Sequence, residues 1–297
     1  MTFDHPKILQ ASLLVALSAI LYGFLGYLGV SIMQENVSIP NMLFWRFFIA
    51  GTWMLPFVLK KHAAEKVLHM DKRILIAMFI LGAIGYAGSS GFYFIATRYT
   101  GTGLSMVIFF SYPIVIALSS WIIHRKKLNK GIILTLLLMT AGLFLLQNSS
   151  ERLFSLLGIF FAVAAAVCYA LYVIGSKRYS SISIDSNTLS MVVCYGCAFL
   201  FLILAITTHT LDFPPTLKSW LYLIALGILV TALPIQLMLE GLKHVSSMRA
   251  SIISVLEPLD TVFVGLLLLN ESISASQIIG VAIILGSALM VQFQKEL

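Results

Sequence analysis

Apolar runs of about twenty residues recur along the whole chain, parted only by short polar islands, and this spacing constrains the fold more than any other feature. Twenty helical residues rise about 30 Å, the thickness of a bilayer's hydrocarbon layer. The side chains agree with that solvent: 60% are hydrophobic and 10% charged, whereas a water-soluble domain is about half apolar and a quarter charged. The runs predict ten transmembrane helices at 8–33, 40–59, 74–97, 101–123, 131–147, 154–175, 186–207, 217–240, 246–269 and 274–293. The first lacks a small-residue cleavage site and is read as a retained helix rather than a removed leader.

The polar islands set the orientation. With the N-terminus in the cytoplasm, 14 Lys and Arg fall on that side and three, Arg98, Arg152 and Lys218, on the other. That asymmetry places both termini inside. It also accounts for the formal charge of +7 as a topology signal, so no nucleic-acid partner is expected.

The two halves of the sequence echo each other at a shift of 145 residues. Leu81-Gly82 returns as Leu226-Gly227, Arg98 as Lys243, Pro113 as Pro258 and Gln147 as Gln292. Five helices per half is an odd number, so the second copy enters the membrane upside down. The predicted fold is therefore an all-α integral membrane protein of two inverted five-helix repeats, 8–147 and 154–293. This construction supplies two conformations by exchanging the roles of its halves.

Several segments then resemble a known family. Trp45-Arg46-Phe47-Phe48-Ile49-Ala50, Phe92-Tyr93-Phe94-Ile95-Ala96-Thr97-Arg98-Tyr99 and Leu256-Glu257-Pro258, in this order within paired five-helix units, resemble the ten-helix drug/metabolite transporters, the EamA-like family. The resemblance runs from about Ser12 to Gln292. It implies an inverted-repeat transporter with a central cavity, commonly an exporter of amino acids or related metabolites. Two positions depart from internal symmetry: Arg46 corresponds to Met191, and Glu257 to Tyr112.

Within the spans, a few polar residues are expensive enough to need a reason. Glu257 and Asp260 stand three apart, on one helical face. Glu257 lies about 16 Å inside the membrane if the helix starts at Ser246. A carboxylate there must be protonated, paired or facing water, and it suits proton coupling. Arg46 can clamp a carboxylate with two parallel hydrogen bonds or neutralise Glu257 or Asp260, and the ion pair is the favoured expectation. Tyr22, Trp45, Tyr86, Tyr93, Tyr112 and Tyr169 offer an apolar ring with a polar tip to an amphipathic substrate. Pro113 and Pro258, read as lying inside helices, are expected to release the carbonyls of Phe109 and Ser254 as hinges or substrate contacts. Arg98, Glu240 and Arg249 are expected at membrane boundaries, with Glu240 paired to Lys243. Gly82, Gly85, Gly88 and Gly91 form a smooth surface for helix packing, or for a sliding gate.

Other chemistries find no support. All six histidines fall in loops or at membrane edges, and Cys168, Cys194 and Cys197 lie in apolar runs. Neither a metal centre nor a disulfide framework is expected, and C-x-x-C at Cys194 and Cys197 reads as small-residue packing. Without a phosphate-binding loop there is no sign of a nucleotide-driven pump, and no cofactor is expected. The expected function is secondary transport of a small polar or amphipathic metabolite, an amino acid or related compound, coupled to a proton or other gradient, in a bacterial inner membrane. A nucleotide-sugar or organic-anion/amine carrier is the alternative, and an intramembrane enzyme would need a converging catalytic set.

Overall fold

The computed structural model describes residues 5–60, 72–124, 129–146, 155–180, 185–268 and 274–292. Gln147, Phe154, Leu269 and Phe293, predicted helix boundaries, lie outside the described residues, as do the basic residues Lys61, Lys66, Arg125, Lys126, Lys127, Arg152 and Lys295.

Every regular element among the described residues is helical. In chain order these are α1 (His5–Gly23), α2 (Leu25–Gln34), α3 (Ile39–Leu59), α4 (Lys72–Ile80), a π-helical turn at Leu81–Tyr86, α5 (Ala87–Phe109), α6 (Tyr112–His124) and α7 (Lys130–Leu146). The second half follows with α8 (Leu156–Ser180), α9 (Ser186–Thr207), α10 (Leu217–Gly227), a π-helical turn at Ile228–Ala232, α11 (Leu233–Leu242), α12 (Ser247–Ile253), α13 (Leu256–Leu268) and α14 (Ala275–Gln292). Eight of the resulting rods are long and apolar enough to cross a bilayer, and two further apolar helices, Lys130–Leu146 and Ala275–Met290, are shorter.

The helix starts are written locally. Ser38 accepts from the Asn41 amide and leaves Pro40 in the first turn of α3, where its missing N–H costs nothing. Asp185 takes the amides of Asn187 and Thr188 at 3.1 and 3.3 Å. Thr216 and Ser219 cap α10 reciprocally, and Ser246 accepts from the Arg249 amide. Each cap satisfies donors that a helix end leaves orphaned.

The interior is largely apolar, and so is the outer face. Leu13, Ile84, Trp121, Leu137, Phe160 and Leu289 face outward, while Ser18, Arg46, Thr100, Ser190 and Thr231 are buried. An apolar rim of this extent is stable only against lipid. Inside it, α3 packs on α9, α5 on α8, α7 on α14, and α1 on both α11 and α13. Each of these contacts joins the first half of the chain to the second. Close approach depends on glycine at several points: a Cβ on Gly82 would strike the Val193 carbonyl, one on Gly196 the Phe79 carbonyl, and one on Gly280 the Gly142 carbonyl. Gly88 and Gly91 are looser, with their nearest neighbours at 3.5 and 4.0 Å. The three cysteines are free, and Cys197 donates to the Gly82 carbonyl at 3.2 Å within this packing.

The continuous helices expected from the hydropathy pattern are in fact interrupted, and the interruptions recur in both halves. The π turn at Leu81–Tyr86, shifted by 145, overlaps the one at Ile228–Ala232. Gly101, with φ 73° and ψ 168°, turns the third rod into the fourth; this is a backbone conformation that favours glycine. Its shifted counterpart is the helix-capping Ser246. The fourth rod breaks again at Phe110–Ser111 and the ninth at Ser254–Val255. Pro113 and Pro258 therefore sit in the first turns of α6 and α13, not inside unbroken helices. There the prolines lack no needed bond, so the breaks precede them. The expected release of the Ser254 carbonyl is also corrected: it accepts from the Glu257 amide at 3.1 Å.

Candidate functional site

The π turn ends on Tyr86, and one extra residue per turn re-aims the side chains that follow it. Tyr86 is buried and donates to the Tyr22 hydroxyl at 3.0 Å. Its ring lies 4.8 Å from that of Tyr172, 5.9 Å from Tyr169 and 5.5 Å from Phe47. Tyr169 passes the contact on, edge-on to Tyr112 at 4.7 Å and tilted on Phe109 at 5.4 Å. Phe109 in turn meets Tyr93 at 5.4 Å. Rods from both halves thus line one continuous aromatic cluster.

Tyr112 ties that cluster to a helix break. At the 254–255 interruption Val255 bonds to Ile252 in place of Ser251, and the Ser251 carbonyl accepts from the Tyr112 hydroxyl at 3.3 Å. A carbonyl exposed by the second-half break is satisfied by the residue that restarts the first-half helix.

Two charges border the cluster. Arg46 is only 2% exposed. Its Nε donates to Thr231 Oγ1 at 2.7 Å, and the Thr231 hydroxyl donates to the Leu226 carbonyl at 2.7 Å across the second π turn. The guanidinium carbon stands 4.9 Å from the centre of the Phe47 ring. Its two terminal nitrogens make no hydrogen bond or ion pair among the described residues. Glu257 is half-buried, and its carboxylate likewise engages no partner among them. Glu257 stands in the first turn of α13, just past the break that Tyr112 bonds to.

This geometry corrects the expected ion pair. Arg46 is held by Thr231, not by Glu257 or Asp260, because the π turn brings a hydroxyl to its Nε. Asp260 lies against Gly23, where a Cβ would strike its carboxylate. Trp45 is also drawn away from the cluster. Its indole donates to the Asp212 carbonyl at 3.1 Å, beside Asn41 at 2.8 Å, and its ring packs on Trp220 at 5.0 Å. Arg249 is buried rather than snorkelling outward.

Trp45 belongs to a contact across the halves at the rod ends. There Lys218 Nζ meets Glu35 Oε1 at 2.8 Å, and Thr216 donates to Glu35 Oε2 at 2.9 Å. The Lys218 ammonium, aided by the Thr216 hydroxyl, holds the Glu35 carboxyl below its ordinary range. At the opposite ends, Lys243 pairs with Glu240 at 2.6 Å as expected, and Ser186 donates to the same carboxylate at 2.6 Å.

The site offers aromatic faces for an apolar body, a cation with two open donors, and an open carboxylate. No group of three or more His, Cys, Asp or Glu able to hold a metal occurs among the described residues. Thr231 and Tyr172 were absent from the expected set. Thr231 had a sequence signal, since the shift of 145 carries Tyr86 onto it. Tyr172 sits one turn after Tyr169 on the same face.

The EamA-like transporter family matches this chain twice, over residues 9–147 and again over 156–293. The chain belongs to the EamA-like transporter family. Its similarity to an uncharacterized transporter of Archaeoglobus fulgidus is 28% identity, covering 93% of this chain and 94% of that one. An uncharacterized transporter of Clostridium kluyveri is 24% identical, with 95% and 93% covered. The uncharacterized inner membrane transporter YicL of Salmonella typhimurium is 23% identical over 95% of each chain. A solved crystal structure superposes with a TM-score of 0.79 at 20% identity, covering 94% of this chain and 95% of that one. This EamA-like protein is an integral membrane transporter, and the Arg46, Glu257 and tyrosine cluster is its candidate substrate site.

Proposed function

We propose that this EamA-like transporter moves a small zwitterionic or amphipathic metabolite, an amino acid or close relative, by alternating access in the direction of export. Arg46 is the observation that carries the reading. A guanidinium almost wholly removed from solvent, with one nitrogen fixed and two left open, is pre-oriented for a carboxylate. A buried cation without its own counter-ion is costly, and an arriving anion offsets that cost. Glu257 takes the substrate's ammonium, and Tyr22, Tyr86, Tyr93, Tyr112 and Tyr169 enclose its apolar part.

The alternation draws on ten membrane helices in two inverted repeats, 8–147 and 154–293, with both termini cytoplasmic. The contact pattern supports this arrangement. Exchanging the halves converts α3 on α9 into itself, α7 on α14 into itself, and the packing of the third rod on the sixth into that of the eighth on the first. The recurring π turns and breaks supply matched flexible points. Export is the direction that the family resemblance favours.

Counterflow in proteoliposomes tests the proposal: unlabelled amino acids inside accelerate uptake of the labelled compound, and Arg46→Ala and Glu257→Gln each abolish the acceleration. An amino acid carried equally well by both variants refutes the assigned site. Transport confined to amines or to doubly charged anions refutes the zwitterion.

A further inference from the structure

The first rod is interrupted halfway. Its α1 ladder ends at Gly23, Phe24 leaves the helical pattern with ψ −5°, and α2 restarts with Leu28 donating to the Phe24 carbonyl at 3.1 Å. The restart begins one residue too late to engage the Gly23 carbonyl. That carbonyl receives instead the Thr261 hydroxyl, at a long 3.4 Å. Thr261 is more closely bonded to the Glu257 carbonyl at 3.0 Å, which leaves its oxygen lone pairs free.

Asp260 faces the same break. Its Oδ2 is buried and has no hydrogen-bond partner, and it presses on the Gly23 backbone where any side chain would collide. No Lys or Arg stands within ion-pair distance of Asp260 among the described residues. A bare carboxylate oxygen within a membrane rod is among the costlier features a transporter can carry. Here it is juxtaposed with a carbonyl freed by a helix break and a hydroxyl. This is the combination by which interrupted membrane helices hold small cations.

We propose that Asp260, the Gly23 carbonyl and Thr261 form a binding site for a monovalent metal cation of the sodium type, at the junction of the first and ninth rods. The donors are all hard oxygens, which excludes the preferences of zinc and copper. A single carboxylate balances one positive charge, whereas a divalent cation calls for more anionic oxygens. Occupancy ties α1 to α13, one turn from Glu257, and so links the cation to the substrate site through the shared helix. The site rests on the transporter reading but not on the identity of the substrate.

Thermal unfolding of the purified full-length protein without substrate separates the two proposals. Melting is followed in NaCl, LiCl, KCl and choline chloride at one ionic strength and at several fixed pH values. Sodium is expected to raise the wild-type Tm saturably, by about 2–4 °C over choline at tenfold excess over its dissociation constant. Asp260→Asn, which keeps size and shape, should lose the increment, and Thr261→Val should shrink it. Equal melting in sodium and choline overturns the site, as does a sodium increment of unchanged size in Asp260→Asn. Should Asp260→Asn fail to fold, an unchanged increment in Thr261→Val overturns it alone. Melting that follows pH but is indifferent to the cation assigns Asp260 to a proton and also overturns the proposal.

Discussion

Replacing Thr231 by valine removes one hydroxyl and almost no volume, so it isolates the polar contribution of the Arg46 anchor. The hydroxyl accepts from Arg46 Nε and donates to the Leu226 carbonyl, each at 2.7 Å. Arg46 is 2% exposed and Thr231 is fully buried, so water does not readily replace the lost acceptor. A hydrogen bond to a buried charge contributes roughly 1.5–3 kcal/mol, and the π-turn carbonyl loses a donor as well. At about 2–4 °C per kcal/mol for a chain of this order of size, Thr231→Val should lower Tm by roughly 4–10 °C. Thr231→Ser keeps the hydroxyl and should lose far less. Melting of the purified protein, read by intrinsic fluorescence, decides the matter. A Thr231→Val protein melting within a degree of wild type would refute the claim that this hydroxyl anchors Arg46.

Gly82→Ala and Gly196→Ala each drive a methyl into a facing backbone carbonyl and should cost about 1–3 kcal/mol or more; Gly91→Ala, whose nearest neighbour is 4.0 Å away, should melt like wild type. The Glu35–Lys218 contact predicts a pH dependence of definite sign. Because the folded Glu35 carboxyl lies below its unfolded value, its stabilisation is present above the unfolded carboxylate range and lost as pH falls through the folded value. Wild type should therefore melt above Glu35→Gln at neutral pH in low salt and converge with it in acid, with the gap narrowing as salt rises; a gap that survives acid would sink this assignment. Tyr112→Phe leaves the Ser251 carbonyl without its donor, and the 3.3 Å length points to a loss of about 0.5–1 kcal/mol, measurable as a small Tm decrease.

The recurrent interruptions bear on motion as well as stability. A membrane helix is stiff because its ladder closes on itself, and a conformational change concentrates where that ladder is open. The first, third, fourth, eighth and ninth rods each carry an opening, whereas α7, α8, α9 and α14 run through without one and α3 holds Pro56 within its helix. Of the rods without a break, α7 and α14 pair with each other, while α8 packs on the interrupted third rod. Gly101→Ala puts a side chain in a backbone conformation that favours glycine and should strain the turn between the third and fourth rods, read as a lowered Tm.

The apolar runs alone determined that this chain is a helical membrane protein, because no other solvent accommodates segments of that length and composition. The 145-residue echo marked out two halves, each of which the EamA-like family matches, and the residues around Arg46 and Glu257 carried the family resemblance. The cost of burying charge marks Arg46, Glu257 and Asp260 as candidates from the sequence alone. Their partners were not legible. A π turn inserts one residue into a helix whose hydropathy is unchanged, so nothing in the pattern announced that Thr231 would meet Arg46 or that Tyr86 would meet Tyr22. Hydropathy likewise does not register where a ladder opens ahead of Pro113 and Pro258. Trp45 shares an apolar stretch with Arg46, yet the 100° turn between adjacent helical residues sends one to the Asp212 loop and the other to the cluster. Which side chains share a site is settled by how the rods rotate and pack against one another, and that is a property of the assembled helices.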